Sequence, residues 1–491
     1  MLPTHALYRW LPRTSAAALL TPLALLLPLT LAGLRAQGPP PGFTYQTVVQ
    51  GGLANATAMA FAPDGRLFLT ERITGNIRVI QDGALQAAPW ATIAVNSGGS
   101  SAEQGLLGIA IDPDFLNNRY VYVYFTAASG NENRIARLQE QNGAGTNLTV
   151  LSPAGAIPSL LYHNGGPLLF GRDGTLFVAT GDGLGGGNAQ DIAQWRGKIL
   201  RFDVPNLTVP ANNPFPGSAV YSYGHRNQFG LALHPVTGEL FQTENGGALM
   251  DEINRIVPGG NYGWPSVEGL EAVPNPAFVD PLSVYQPTPA LTGCTFYSGE
   301  NYPANYRNVF FFTDWNQGRV RAATLDAAAQ NVVSQTLFDD HVGSGYAVTM
   351  GPDGNLWYLT NDNGGYGADE VGRYVHANEP IPSLNVSAVS NRSVGGSMTV
   401  CVHASQGSIV GTFLSLSRST LPFATPWGNA WILPDVGLPV FGLWNSDRGY
   451  LTWSVGFDPI LLDLPVHMQA IELAPSGVMT LTNPTTFVLR G

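Results

Sequence analysis

One short unit recurs along this chain: APDGRLFLT at 62–70, GRDGTLFVAT at 171–180, HPVTGELFQT at 234–243 and GPDGNLWYLT at 351–360. Each copy joins a turn of Pro, Asp and Gly type, in which glycine supplies a positive φ, to the alternating large and small residues of a half-buried strand. Equivalent positions at Pro63, Pro113, Arg172, Pro235 and Pro352 are separated by 50, 59, 63 and 117 residues. The last gap is wide enough for two units, and VFFFTDWNQGRVRAATL at Val309 to Leu325 supplies a less regular fifth one. Six sheet modules then fill residues 43–377. Modules of this size predict a six-bladed β-propeller, because radial repetition protects strand edges and encloses a central channel. A β-sandwich with long loops leaves the repeat unexplained. The 58 glycines and 37 prolines, with little helical periodicity, agree with a mainly β protein.

The character changes near His376. HANEPIPSLNVSA reads as a linker stiffened by Pro380 and Pro382. Beyond it, SMTVCVHA, GTFLSLS, YLTWSV, MQAIELA and VMTLTN alternate between turn residues, which predicts a small β-sandwich-like domain over 378–491 with no chemical constellation of its own. At the other end, Arg9 and Arg13 precede an apolar run from Ala16 to Ala32 and a small residue at Ala36. Residues 1–36 therefore read as a cleavable export signal, and no later stretch is apolar enough to span a bilayer. Export to a periplasmic or extracellular space permits a disulfide, so Cys294 and Cys401 are either a pair or two buried thiols. The net charge of −11 argues against nucleic acid as a partner, since phosphate recognition needs a basic surface.

Four segments carry more polar residues than strands and turns need: His163 to Gly166, YGHRNQFG at 223–230, TENGGALMDEIN at 243–254 and GGNYGWP at 259–265. In a propeller, loops from several blades meet at one end of the channel, so distance along the sequence does not separate them. His163 either accepts a proton near neutral pH, with Gly165 and Gly166 admitting a ligand to the backbone, or caps a turn. Arg226 and Asn227 set a cation beside an amide, which suits an anionic or carbonyl-rich ligand or else pins blade carbonyls. Gly246 and Gly247 either turn carbonyl oxygens toward a hard cation, with Glu244, Asp251 and Glu252 near, or form a glycine turn. Asp182, Asn188 and Asp191 pose the same choice between holding a cation and ordering a loop.

Taken in order, HNGG, GDG with NAQ and RGKILRFDV, YGHRNQFGLALHP, DEIN and GGNYGWP resemble the soluble glucose/sorbosone dehydrogenase family, quinoproteins that use pyrroloquinoline quinone (PQQ). EQGLLGIAIDPDF at 103–115 is similar to the family's second blade, and the resemblance covers about 43–377. It implies PQQ and a calcium ion at the channel mouth. His163 would be the base that takes the anomeric proton of a sugar. Arg226 would bind the quinone oxygen as charge gathers there, and Asn227 would hydrogen-bond the cofactor. The carbonyls of Gly246 and Gly247 would ligate calcium, which would act as a Lewis acid, and Gln104 would lie near the substrate.

The departures are specific. Glucose-oxidising members hold the quinone carboxylates with a lysine and an arginine pair, whereas DWNQGRV at 314–320 and GSGYAVTM at 343–350 supply neither. Arg319 or Arg321 would substitute only if strand alternation placed one of them in the channel. Gly247 also stands where those members have proline. TGCTFYSGENYP and FFFTDWNQGRV look closer to the branch related to hedgehog-interacting proteins. The expected activity is therefore oxidation of an aldose or related sugar to a lactone, with an external electron acceptor. The rival is a non-catalytic propeller that binds carbohydrate or protein at the channel mouth.

Overall fold

In the computed structural model, the described residues are 38–340, 343–361 and 368–377, with strands and short segments between 383 and 488. The expected export signal lies outside the described residues. Six four- or five-stranded antiparallel sheets follow one another along the chain, and the protein is a six-bladed β-propeller. The innermost strands are Ala56–Phe61, Leu106–Ile111, Leu168–Phe170, Asn227–Leu233, Leu291–Phe296 and Ser344–Met350. Each touches the innermost strand of the next blade, and the sixth touches the first. A strand from the start of the propeller, Phe43–Gln50, pairs with Glu370–His376 and completes the sixth sheet. The ring is thus closed by hydrogen bonds between its two ends. Tyr45 and Thr47 reinforce the seam, each donating a hydroxyl hydrogen bond of 2.9 Å to Glu370.

The recurring turn sits at one place in the blades, between the innermost strand and the second. Residues 62–66, 171–175, 234–239 and 351–355 all make this connection, with glycines such as Gly65, Gly174 and Gly354 at positive φ. The fifth blade departs because its connection is long, running from 297 to 309 through a 3-10 turn at Ala304–Tyr306. The irregular unit at Val309 to Leu325 therefore marks that blade's second and third strands, Phe310–Asp314 and Val320–Leu325, rather than the turn.

Alternation along the strands gives every sheet two apolar faces, and the core consists of a layer between each pair of neighbouring blades. Phe68, Ile77, Leu106 and Val123 fill the first interface, Phe177, Ile199, Leu231 and Leu240 the third, and Phe241, Ile253, Phe296 and Phe310 the fourth. Aromatic edges meet faces there, as where Phe241 and Phe296 lie 5.0 Å apart at 77°.

The segments expected as strands beyond 378 do form strands, including Ser397–His403, Ile409–Ser415, Arg448–Ser454, Pro465–Leu473 and Met479–Leu481. They belong to two further sheets. One correction applies to the linker: Ser383–Val386, within HANEPIPSLNVSA, is a strand paired with Ser397–His403. The alternation in SLNV was masked by the prolines before it.

Because Phe241 is fully buried between the fourth and fifth blades, Phe241→Ala should cost about 3–5 kcal/mol of stability. A urea or thermal melt read by circular dichroism should show the loss.

Candidate active site at the channel mouth

Residues from all six innermost strands line one cavity of about 1000 Å³. Its walls within the channel are apolar, with Ala58, Ile109, Leu169 and Val348. Polar groups gather where Glu103, His163, Arg226, Asn227, Gly246, Gly247 and Asp251 line it. The sequence motifs at 163, 226–227 and 246–247 do converge.

His163 occupies left-handed backbone, φ 59°, which is unusual for a side-chain-bearing residue and needs support. Its N–H donates to Glu103 Oε2 at 2.7 Å, and its carbonyl accepts from Gly183 N at 3.1 Å. Nδ1 lies 2.7 Å from Asp182 Oδ1. Asp182 is almost fully buried and also accepts from Trp264 Nε1 at 2.8 Å and Leu184 N at 2.8 Å. A carboxylate at Nδ1 selects the tautomer with the proton on that nitrogen, which leaves the Nε2 lone pair as the acceptor. Packing requires the two glycines after Asn164, and Gly165 also lines the cavity. Gly166 O would sit 2.0 Å from a Cβ on Gly108, and a Cβ on Gly165 would sit 2.6 Å from Gly181 N. The loop is pressed between strands of the second and third blades.

Arg226 donates from Nη1 to Asn245 O at 3.0 Å, and its guanidinium lies 5.3 Å from the Trp264 ring centre. Its Nε is buried without a partner. The backbone N–H of Arg226 is held by Glu244, a carboxylate that also meets His225 Nδ1 at 3.0 Å and Gln242 Nε2 at 2.6 Å. Trp264 thus links the two, donating to the aspartate behind His163 and lying beneath the arginine. Asn227 is committed to the protein at both ends of its amide. Its Oδ1 accepts from Gly165 N at 3.2 Å and its Nδ2 donates to Glu103 Oε2 at 3.1 Å.

Gly246 and Gly247 line the cavity on a loop closed by Glu268, which accepts from Leu249 N and Met250 N at 2.9 Å each. Neither glycine carbonyl accepts a backbone hydrogen bond among the described residues. Asp251 accepts from Gly246 N at 3.1 Å, and burial pushes its carboxyl up to about 6. Glu252 lies behind the wall, pushed up to about 7 by burial and by the charge of Glu244 beside it. In the alternative cation loop the three polar side chains make hydrogen bonds within the protein. Asp182 is taken by His163, Asn188 bonds Asp182 O and Arg196, and Asp191 bonds Ala193 N and Gln194. Among the described residues no cluster of three or more His, Cys, Asp or Glu is arranged to hold a metal.

Two expectations need correction. Gln104 turns away from the cavity and is buried, its Nε2 donating to Gly130 O at 3.1 Å and Ser159 Oγ at 2.8 Å. Its neighbour Glu103 takes the cavity wall instead. Arg319 and Arg321 are not in the channel either. Arg321 Nε pairs with Asp314 Oδ2 at 3.0 Å, and both arginines donate to Gln317 Oε1 at 2.6 Å. The cavity's own guanidiniums are Arg72, Arg172 and Arg226. Arg72 is bound to the carbonyls of Ser97, Gly99, Ser100 and Gln104, and Arg172 to those of residues 234–236. Among the three, Arg226 has a buried nitrogen, Nε, without a hydrogen-bond partner.

The glucose / sorbosone dehydrogenase family model matches residues 53–367, which is most of the propeller. The chain belongs to the glucose/sorbosone dehydrogenase family. An uncharacterized protein of Synechocystis is 35% identical over 353 residues, 64% of this chain and 83% of that one. Quinoprotein glucose dehydrogenase B of Acinetobacter calcoaceticus is 32% identical over 256 residues, 46% of this chain and 53% of its own length. The PQQ-bound aldose sugar dehydrogenase of Streptomyces coelicolor superposes with a TM-score of 0.59 at 30% identity, covering 69% of this chain and 99% of that structure. Family membership makes a sugar-dehydrogenase propeller the frame for the mouth residues.

Cys294 also lines the channel of this dehydrogenase-type propeller and is a free, buried thiol pushed up to about 12 by burial. It should therefore resist iodoacetamide at pH 8 in the folded protein and react once the chain is unfolded. Peptide mass spectrometry of both samples measures this.

Proposed function

We propose that the chain is an exported, calcium-dependent quinoprotein that oxidises an aldose or related sugar to its lactone and passes the electrons to an external acceptor. The observation that carries this reading is the His163–Asp182 pair, joined through Trp264 to Arg226 at one end of a large cavity. A base, its orienting carboxylate and a partly uncommitted cation are what a proton-coupled hydride removal requires of the protein.

The residues present fit PQQ at its reacting edge. The orphaned Nε of Arg226 asks for an acceptor, and the carbonyls of Gly246 and Gly247, which accept no backbone hydrogen bond among the described residues, offer with Asp251 the hard oxygens that calcium takes. PQQ, when bound, supplies the two-electron acceptor for the hydride leaving C1 of the sugar. His163 Nε2 takes the anomeric hydroxyl proton, and the C1–O bond becomes the lactone carbonyl. Asp182 stabilises the imidazolium and fixes the ring. Arg226 stabilises negative charge at the same end of the cavity, held there by Asn245 O and the Trp264 face. Asn227, through Gly165 and Glu103, keeps the His163 loop against the fourth blade. The apolar channel beneath limits water around the reacting atoms.

Protein incubated with PQQ and calcium, then assayed with a dye acceptor across an aldose panel, tests the reading. Turnover is expected, and none with any aldose would contradict it. His163→Gln should lower kcat/KM by about 10²- to 10⁴-fold without unfolding the propeller. Asp182→Asn should lower it by a comparable factor, because an amide at Nδ1 no longer selects the tautomer. The double variant should be little worse than either single one, since the two act as a unit. Full additivity would mean that they act separately.

A further inference from the structure

The carboxylate of Glu103 has one oxygen in use and one free. Oε2 accepts from His163 N at 2.7 Å and from Asn227 Nδ2 at 3.1 Å, while Oε1 has no hydrogen-bond partner among the described residues. The residue lines the cavity and is half-buried. The other lining carboxylate, Asp251, accepts from Gly246 N with Oδ1 and from Leu291 N with Oδ2. Asp182 is bound to His163, Trp264 and Leu184. Glu103 is therefore the acidic group at this wall with an acceptor left over for a ligand. The nearby guanidinium of Arg72 does not take that oxygen, because its Nη atoms are bound to four carbonyls.

The position is chemically specific. The group that Glu103 grips is the backbone of the proposed base, so its carboxylate borders the space that a sugar must enter to bring its anomeric hydroxyl to His163. The substituent next to C1 is that on C2. A neutral hydroxyl there gives a carboxylate one ordinary hydrogen bond, whereas a protonated amine gives a charge-assisted one in a partly desolvated wall, roughly twice as strong.

We propose that Glu103 makes this site selective for aldoses carrying a protonated amine beside the anomeric carbon, the 2-amino-2-deoxy aldoses, over neutral aldoses. The inference rests on the sugar-oxidising reading for its orientation, and the amine is a spectator in which no bond forms or breaks. Selection is a difference between affinities, so it shows in binding as well as in turnover.

Titration calorimetry of the full chain at pH 6 with D-glucosamine and with D-glucose reads that difference without any cofactor. Glucosamine should bind about tenfold more tightly or better at low salt, and 0.5 M sodium chloride should shrink the preference by screening. Glu103→Gln, which keeps the shape and an acceptor for His163 N, should bring the two affinities within about twofold. Equal affinities in the unaltered chain, no binding of either sugar, or a preference that survives both salt and Glu103→Gln would overturn the proposal. The salt series alone decides if the variant does not fold. Binding with the expected preference but no turnover of any aldose by the PQQ-loaded protein would sink the oxidation reading and leave the selectivity standing.

Discussion

Closure of the ring is the constraint on which the rest of this molecule depends. The propeller is built from sheets that each have two apolar faces, so every blade needs a neighbour on both sides, and a linear chain leaves two faces uncovered unless its ends meet. Pairing of Phe43–Gln50 with Glu370–His376 supplies that meeting, and the interface between the sixth and first blades is then as apolar as the others, with Leu53, Phe61, Leu69, Trp357 and Leu359. In the closed ring, loops from the second, third and fourth blades come within hydrogen-bonding distance at one channel end.

The site is an inter-blade structure in consequence. Glu103 comes before the second blade, His163 and Asp182 belong to the third, and Arg226, Asn227 and Trp264 to the fourth. The bonds that join them are 2.7 to 3.2 Å long, one buried and three partly buried, and they run across the blade boundaries: Glu103 to His163 and Asn227, Asn227 to Gly165, and Trp264 to Asp182. Such a network holds each reactive group through a neighbouring blade and keeps the left-handed backbone of His163 from relaxing. It also explains why a chain with few charged residues places several of them, buried, around one opening.

Much of the architecture was legible because a tight turn leaves a compact residue signature and strands leave a two-residue period. The fifth blade escaped that reading in part: a 13-residue connection at 297–309 replaces the turn, and only its phenylalanine-rich second strand kept the pattern. The site was legible as a set of motifs and less so as a geometry. His163, Arg226 and Gly246 stood out by residue type, yet whether Glu103 or Gln104 faces the cavity depends on how one bend is oriented, and sequence carries no mark of that. Asp182 was visible as an acid in a glycine-rich loop, but its partner lies 19 residues away and meets it only through the fold. Arg319 and Arg321 looked available because their pairing with Asp314 and Gln317 is a matter of strand register.

We propose that this channel mouth holds a quinone beside His163 with a reduced set of cations. An absorbance titration of the purified chain with PQQ, with and without calcium, measures this directly. Saturable, calcium-dependent uptake of one quinone per chain is expected, weakened at least tenfold in Arg226→Gln, where the guanidinium with the orphaned Nε is lost. Absence of uptake at any calcium concentration, or uptake indifferent to Arg226, would contradict it.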